Sequence, residues 1–161
     1  MRLPFAAQDH AIVILGERDA AAMARIHAED FGRPWTADEF ADLLKQNTVF
    51  GFAAYETGRM KAGPVGFVLA RYAAGEGEIL TVAVGKQHRR RGLGWKLMDA
   101  VLRELHRRRA EALFLEVDET NAPALGLYRR LGFDRVGLRP RYYEHADKPR
   151  TGALVMRRDL R

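Results

Sequence analysis

Residues 78–95 read EILTVAVGKQHRRRGLGW, and the order of parts within them decides the architecture. EILTVAV (78–84) is a strand, and HRRRGLGW (88–95) sets three arginines against two glycines. A nucleic-acid patch would use the arginines and have little need of Gly92 and Gly94, while a plain turn would use the glycines and not the charge. Leu93, Leu97, Met98, Val101, Leu102 and Leu105 then recur at three- and four-residue spacing, which predicts a helix with one buried face, closed near Arg109 by the cluster Arg107–Arg109. Strand, Arg-rich glycine turn and helix together form a device for holding phosphate. A helix N-terminus offers unpaired N–H groups and partial positive charge, and glycine lets the backbone approach an anion because no Cβ intervenes. GLGWKL lacks the third glycine of G-x-G-x-x-G, and no G-K-[ST] occurs, so two familiar nucleotide motifs are set aside.

Working outward, AIVIL (11–15) reads as a short strand and RDAAAMARIHAEDF (18–31) as a helix. Thr36 with Glu39 predicts a capping box for a second helix through about Lys45. TVFGFAAYE (48–56) and PVGFVLARY (64–72) flank the turn-like TGRMKAG and predict a hairpin. ALFLEV (112–117) is a continuous apolar run, as expected of a strand covered on both faces. NAPALGLYRRLGF (121–133) is a short helix, capped by Asn121 and stopped at Gly132–Phe133. Strands near 133–138 and 152–158 complete an α/β fold of mixed-sheet, α+β type.

Composition bounds the function. A chain of 161 residues, 47% hydrophobic and 30% charged, fits a single domain, 1–161, of a globular protein. No apolar run approaches the ~20 residues of a membrane span, and MRLPFAAQDH lacks the apolar stretch of a signal peptide, so a cytoplasmic protein is expected. The absence of cysteine removes thiolate metal sites and covalent Cys catalysis. His10, His27, His88, His106 and His145 show no ligand spacing such as i, i+4, so no metal is expected. Charge divides unevenly, −3 over residues 1–85 and +9 over residues 86–161. A basic half suits a phosphorylated cofactor, a nucleic acid or simply a solvated surface. A nucleic-acid-binding module at 86–109 is disfavoured, because its basic residues are not interleaved with stacking aromatics.

Arg89-x-x-Gly92-x-Gly94 after LTVAV resembles the acetyl-CoA motif of the GNAT N-acetyltransferases, and LEV (115–117), Asn121-Ala-Pro-Ala and LYRRLGF (127–133) follow at matching distances. RPWTADEF (33–40) and RPRYY (139–143) narrow the resemblance to the type that acetylates a ribosomal-protein alanine. The resemblance implies a central twisted, mostly antiparallel sheet with one splayed parallel pair, flanked by about four helices. It implies acetyl-CoA as co-substrate, with the backbone of Val82, Ala83 and Val84 pairing with the pantetheine arm. Arg89 would begin the motif, Arg90, Arg91, Gly92, Leu93, Gly94 and Trp95 would hold the pyrophosphate, and Asn121 would contact the pantetheine region. Glu116 would be the general base, Tyr128 the general acid, and an amide near Val84 would polarise the carbonyl.

From residue pattern alone, Glu116 is either a base or a strand-end carboxylate paired with an arginine. Tyr128 is either an acid, with a phenol pKa of about 10, or a core tyrosine. Trp35, Tyr142 and Tyr143, read as loop residues, either anchor their loops or, by resemblance, line the acceptor groove. The acceptor implied is a protein N-terminal α-amine, of a ribosomal protein, with a polyamine, antibiotic or other small amine as the alternative. One departure stands out. Where the family pattern carries an acid, as Asp-Ala-x-x-Met, this chain has Thr151-Gly152-Ala153-Leu154-Val155-Met156, leaving Glu144 or Asp147 as substitutes.

Overall fold

The structure, a computed structural model, describes residues 9–161, so the reading of MRLPFAAQDH falls outside the described residues except at Asp9 and His10. The elements in order are β1 (His10–Ile14), α1 (Ala20–Asp30), α2 (Ala37–Leu44), β2 (Val49–Glu56), β3 (Gly66–Ala73), β4 (Glu76–Val84), α3 (Leu93–Arg107), β5 (Ala112–Asp118), α4 (Ala122–Arg130), β6 (Asp134–Tyr143) and β7 (Thr151–Asp159). They build one seven-stranded sheet in the order β1-β2-β3-β4-β5-β7-β6. Every neighbouring pair is antiparallel except β4 and β5, as the mixed sheet with one parallel pair requires.

The helix after the glycine turn forms as its periodicity predicts. Leu93, Leu97, Met98, Val101, Leu102 and Leu105 are all buried, each worth roughly 2 kcal/mol of apolar transfer. They pack on one face of the sheet, joined by Leu125, Tyr128 and Leu131 from the α4 segment. The opposite face is covered by α1 and α2, where Met23, Ile26 and Phe40 meet Phe67 and Leu69 of β3. Thr36 caps α2, its hydroxyl accepting from the Glu39 amide at 3.1 Å. After α4, Gly132 is left-handed (φ 86°) and Phe133 N–H donates to Tyr128 C=O at 3.0 Å, the expected Schellman stop.

Two features of β4 position the site. Leu69 pairs with Thr81 but Ala70 pairs with Ile79, so Leu80 is bulged. Before the bulge Ile79 faces α3; after it Val82 and Val84 do, while Leu80 and Ala83 face α1 and α2. Second, β4 pairs with β5 only at Glu76, Gly77 and Glu78, opposite Ala112, Leu113 and Phe114. From Ile79 onward the two strands part, and the sheet opens as a wedge.

Tyr142 and Tyr143, expected in a loop, are the last residues of β6. Pro140 argues against a strand from sequence, yet β6 lies at the sheet edge, where a missing N–H breaks no ladder. The strand is irregular there, with its register to β7 shifted between Arg139 and Tyr143 and Arg141 left-handed at φ 54°. Among the described residues no helix is long and apolar enough to cross a membrane.

Candidate active site in the sheet wedge

The wedge leaves the backbone of Val82, Ala83 and Val84 bonded to β3 on one side and open on the side facing β5. Peptide groups there need partners, and an extended amide-bearing arm is a fitting one. The β4 strand ends into a 3₁₀ turn, Lys86–His88, and then into the turn of interest. Arg90 (φ 63°) and Gly92 (φ 75°) are both left-handed around Arg91, an arrangement that turns successive N–H groups toward one concavity. Gly92 caps α3, and the first turn of that helix carries no acidic residue. Helix dipole, open amides and basic side chains therefore coincide at the mouth of the wedge.

The glycines divide their work. Gly92 is needed for its left-handed backbone, and a Cβ there would meet nothing within 4 Å. Gly94 serves helix packing instead: a Cβ would lie 3.2 Å from Leu127 Cδ2, so its small size lets α3 sit close to α4. Gly94 thus has a packing role beside the expected one of admitting an anion. Arg89 faces the fold. It pairs with Asp30 at the end of α1, and its Nε donates to Val84 C=O at 3.3 Å. It braces the turn against the end of β4. Trp95 is half exposed on the first turn of α3. Asn121 caps α4, its Oδ1 accepting from the Ala124 amide at 3.3 Å, which leaves its amide nitrogen for a ligand.

Across the wedge, Glu116 and Asp118 share one face of β5, the face turned from α3. Glu116 has the arginine partner that one of its two sequence readings allowed. Its Oε1 lies 3.0 Å from Arg139 Nη2, and Arg139 also covers the Tyr142 ring at 5.5 Å. An open pocket of about 330 Å³ adjoins the β4–β5 pairing, lined in part by Glu78, Phe114, Glu116 and Arg139. Tyr128 is buried, and burial, with the nearby Tyr143 phenol second, pushes its hydroxyl up to about 12 rather than leaving it at the ordinary value. Burial and then the Glu116 charge push Tyr143 up to about 12 as well. Both phenols therefore stay protonated at neutral pH, with Tyr143 within the electrostatic reach of Tyr128 and of Glu116.

Sequence reasoning missed a polar cluster at the end of β5. Burial pushes the Asp118 carboxyl up, but hydrogen bonds from the Thr120 amide, the Thr151 hydroxyl and the Thr120 hydroxyl, with His145 nearby, hold it below the usual range. Thr151 Oγ1 donates to Asp118 Oδ2 at 2.7 Å, and His145 Nε2 lies 2.8 Å from Thr151 Oγ1. Gly152 N–H donates to Glu119 Oε1 at 3.0 Å. The acids beside 151–152 thus come from β5 and the residue after it. Glu144, expected as a substitute, is engaged by Arg33 at 2.8 Å and by Arg150. The Arg33–Glu144 pair joins the α1–α2 connection to the β6–β7 connection, and Trp35 lies on the former. Trp35 stacks on His27 at 5.2 Å and donates its backbone N–H to His27 Nδ1 at 3.1 Å, as a loop anchor does. The only advance signal for the Asp118 cluster was its position two residues after Glu116, on the same strand face. Apart from the wedge, His10, Glu56 and His88 come together from three separate segments, although none of them shows a local ligand spacing.

Comparison with known proteins agrees with this geometry. The family model described as the Acetyltransferase (GNAT) family matches residues 20–133. The chain is 30% identical over 138 residues to the [ribosomal protein bS18]-alanine N-acetyltransferase of Escherichia coli K12, covering 86% of this chain and 89% of that one. The crystal structure of the ribosomal-protein-S18-alanine N-acetyltransferase from Escherichia coli superposes with a TM-score of 0.86, at 28% identity and 94% coverage of each chain. That of Ard1 from Thermoplasma volcanium superposes with 0.79, at 25% identity, covering 93% and 97%. The wedge, the left-handed turn before α3 and these likenesses lead to one assignment: the chain belongs to the GNAT family and is an acetyl-CoA-dependent N-acetyltransferase.

Proposed function

We propose that the chain acetylates a protein N-terminal α-amine, that of an alanine on a ribosomal protein, by direct attack in a ternary complex. The observation that supports this reading is the likeness to the alanine N-acetyltransferase, together with a chain of electrostatic neighbours in which Glu116 acts on Tyr143 and Tyr143 on Tyr128. Bound acetyl-CoA supplies the acetyl thioester. The turn 90–95 and the N-terminus of α3 hold its pyrophosphate, and Val82–Val84 align its amide-bearing arm with their open backbone groups. A Val84-region amide donates to the carbonyl as negative charge develops there. Glu116, directly or through a water, takes the proton of the attacking amine, a C–N bond forms, and the C–S bond breaks. Tyr128, protonated at neutral pH, gives its proton to the leaving sulfur. No cysteine is present to carry the acetyl group in between.

Proton chemistry favours the α-amine over lysine. With pKa values of about 7.7–8.0 and 10.4, roughly a third of α-amines but about a thousandth of lysines are neutral near pH 7.5. One carboxylate base suffices for the first and is strained for the second. The acceptor would enter beside Trp35, Tyr142 and Tyr143, toward the more acidic first half of the chain. The test is a pair of matched peptides, one with a free N-terminal alanine and one N-terminally blocked but carrying lysine. Faster acetylation of the free N-terminus is expected. Faster acetylation of the blocked peptide would refute the reading, and inactivity on both with turnover of a polyamine would move the assignment to a small-amine acceptor.

A further inference from the structure

His10 and Glu56 stand directly opposite one another in the β1–β2 ladder. His88 ends the 3₁₀ turn that leads straight into Arg89 and the phosphate turn. Their candidate ligand atoms all lie within 4.8 Å of one another, and the two imidazole rings meet edge to face at 6.5 Å. Glu56 is only 8% exposed. Among the described residues His10 Nε2 and His88 Nδ1 are buried atoms without a hydrogen bond. Glu56 Oε1 comes within 3.0 Å of His88 Nδ1, but the alignment is not that of a hydrogen bond. A buried carboxylate and two buried ring nitrogens lacking directional partners are costly unless something takes their lone pairs.

We propose that His10, Glu56 and His88 form a binding site for one divalent transition-metal ion of the zinc class, which ties the outer strands to the start of the phosphate turn. Two imidazoles and one carboxylate are a donor set that zinc accepts, with a fourth position left for water. Ligand bonds of about 2.0–2.2 Å in a tetrahedron place donor atoms about 3.3–3.6 Å apart. The Glu56–His88 contact, at 3.0 Å, is already shorter than that, and all three donor atoms lie within 4.8 Å of one another. The second carboxylate oxygen of Glu56 is steadied by Arg59, 3.6 Å away. A solvent-open pocket lined by Glu56, Arg59, Gly85, Lys86 and His88 supplies the entry path. Positive groups also face the cluster, Lys96 and Arg91 from the α3 side and Arg59 from β2's end. Burial first, then Lys96, lowers the proton affinity of His10 and keeps the ring in the neutral form that a metal binds. The inference is independent of which amine the enzyme acetylates.

The test is titration of the full, chelator-treated chain with Zn²⁺ alone, followed by calorimetry and thermal unfolding. One saturable site is expected, with a Tm rise of about 5–10 °C when the free ion is held near a hundred times its Kd. Replacing Zn²⁺ by Co²⁺ should give the intense visible absorption of a tetrahedral centre. Both His10→Ala and the near-isosteric Glu56→Gln should weaken binding at least tenfold, the latter keeping the shape of the pocket should the former fold poorly. Absence of a saturable site in the wild-type chain would overturn the proposal. So would wild-type affinity in both variants, or a site that persists in them and disappears in His145→Ala, which would place the ion beside Asp118 instead.

Discussion

His27 offers the sharpest test of how the segment carrying Trp35 is held in place. It is 2% exposed, its ring stacks on Phe31 at 4.0 Å and on Trp35 at 5.2 Å, and Phe40 meets it edge-on. Its Nδ1 accepts from the Trp35 amide, so the native ring is neutral. Burial lowers its pKa from 6.5 to about 4. The unfolded chain takes up this proton near pH 6.5 and the native one only near pH 4. Between those values the unfolded state binds more protons, so stability falls as pH falls through the window. At 1.36 kcal/mol per unit, the loss is about 2 kcal/mol near pH 5 and about 3 kcal/mol near pH 4, relative to pH 7.5. His27→Gln retains an acceptor for the Trp35 amide but cannot titrate. Urea unfolding of both proteins near pH 5 and pH 7.5 isolates the effect, because the carboxylates are common to both. The wild type should lose about 2 kcal/mol more than the variant on acidification. An equal loss in the two proteins would refute the assignment of a neutral, anchoring His27.

The other expectations are more direct. Gly92→Val should weaken CoA binding at least tenfold in a chain that still folds, because a β-branched residue resists the left-handed turn; Gly94→Ala should bind CoA normally, the contact with Leu127 being met by small side-chain movement. Calorimetric affinity for Gly92→Val equal to wild type would remove the turn from the phosphate site. Glu116→Gln and Tyr128→Phe should each lower the turnover rate by about 10²–10⁴ while sparing CoA affinity, and a loss under tenfold for either would leave it a structural residue. Labelled acetyl-CoA incubated without acceptor should leave the denatured chain unlabelled; stable label on a site residue would contradict direct attack.

What the sequence conveyed, and what it withheld, follows from the range of the forces involved. The six apolar residues of α3 are all buried because helical periodicity is local, and the same holds for the Thr36 cap and the Gly132 stop. The strand order was accessible only through the resemblance, since pairing is a long-range choice. Nothing near Leu80 announces the bulge that exchanges the faces of β4. Pro140 concealed the last turn of β6, because whether a proline is tolerated depends on the strand being an edge. Glu116 was legible as a carboxylate in an apolar strand, but its partner Arg139 arrives from β6, two strands away in the sheet. The His10–Glu56–His88 group illustrates the limit most plainly. Each member is unremarkable in its own segment, and only the β1–β2 register and the turn after β4 bring them together.

The acid missing at the start of β7 leads to a final prediction. An amine acceptor arrives partly as a cation, and a site that must receive it benefits from an ionised carboxylate nearby. In this chain Thr151 and Gly152 stand where the family pattern has its acid, and the neighbouring segment carries the compensation: Thr151 Oγ1 donates to Asp118, and Gly152 N–H donates to Glu119. A Cβ on Gly152 would come within 3.2 Å of Glu119 Oε2 and 2.9 Å of Leu138 Cδ1, so an aspartate could not simply be restored there. Asp118 is the better placed of the two acids, two residues beyond Glu116 on the same strand face, and its hydrogen bonds keep it ionised to lower pH than an ordinary aspartate. Asp118→Asn preserves the shape and most of the hydrogen bonds but removes the charge. It should raise the acceptor KM by about tenfold, corresponding to roughly 1.4 kcal/mol for a charge-assisted contact, with CoA affinity unchanged. The effect should shrink at high salt, as an attraction between charges does. If the acceptor KM is unchanged while thermal stability falls, Asp118 only pins the β6–β7 connection through Thr151 and His145, and the acceptor cation is received elsewhere.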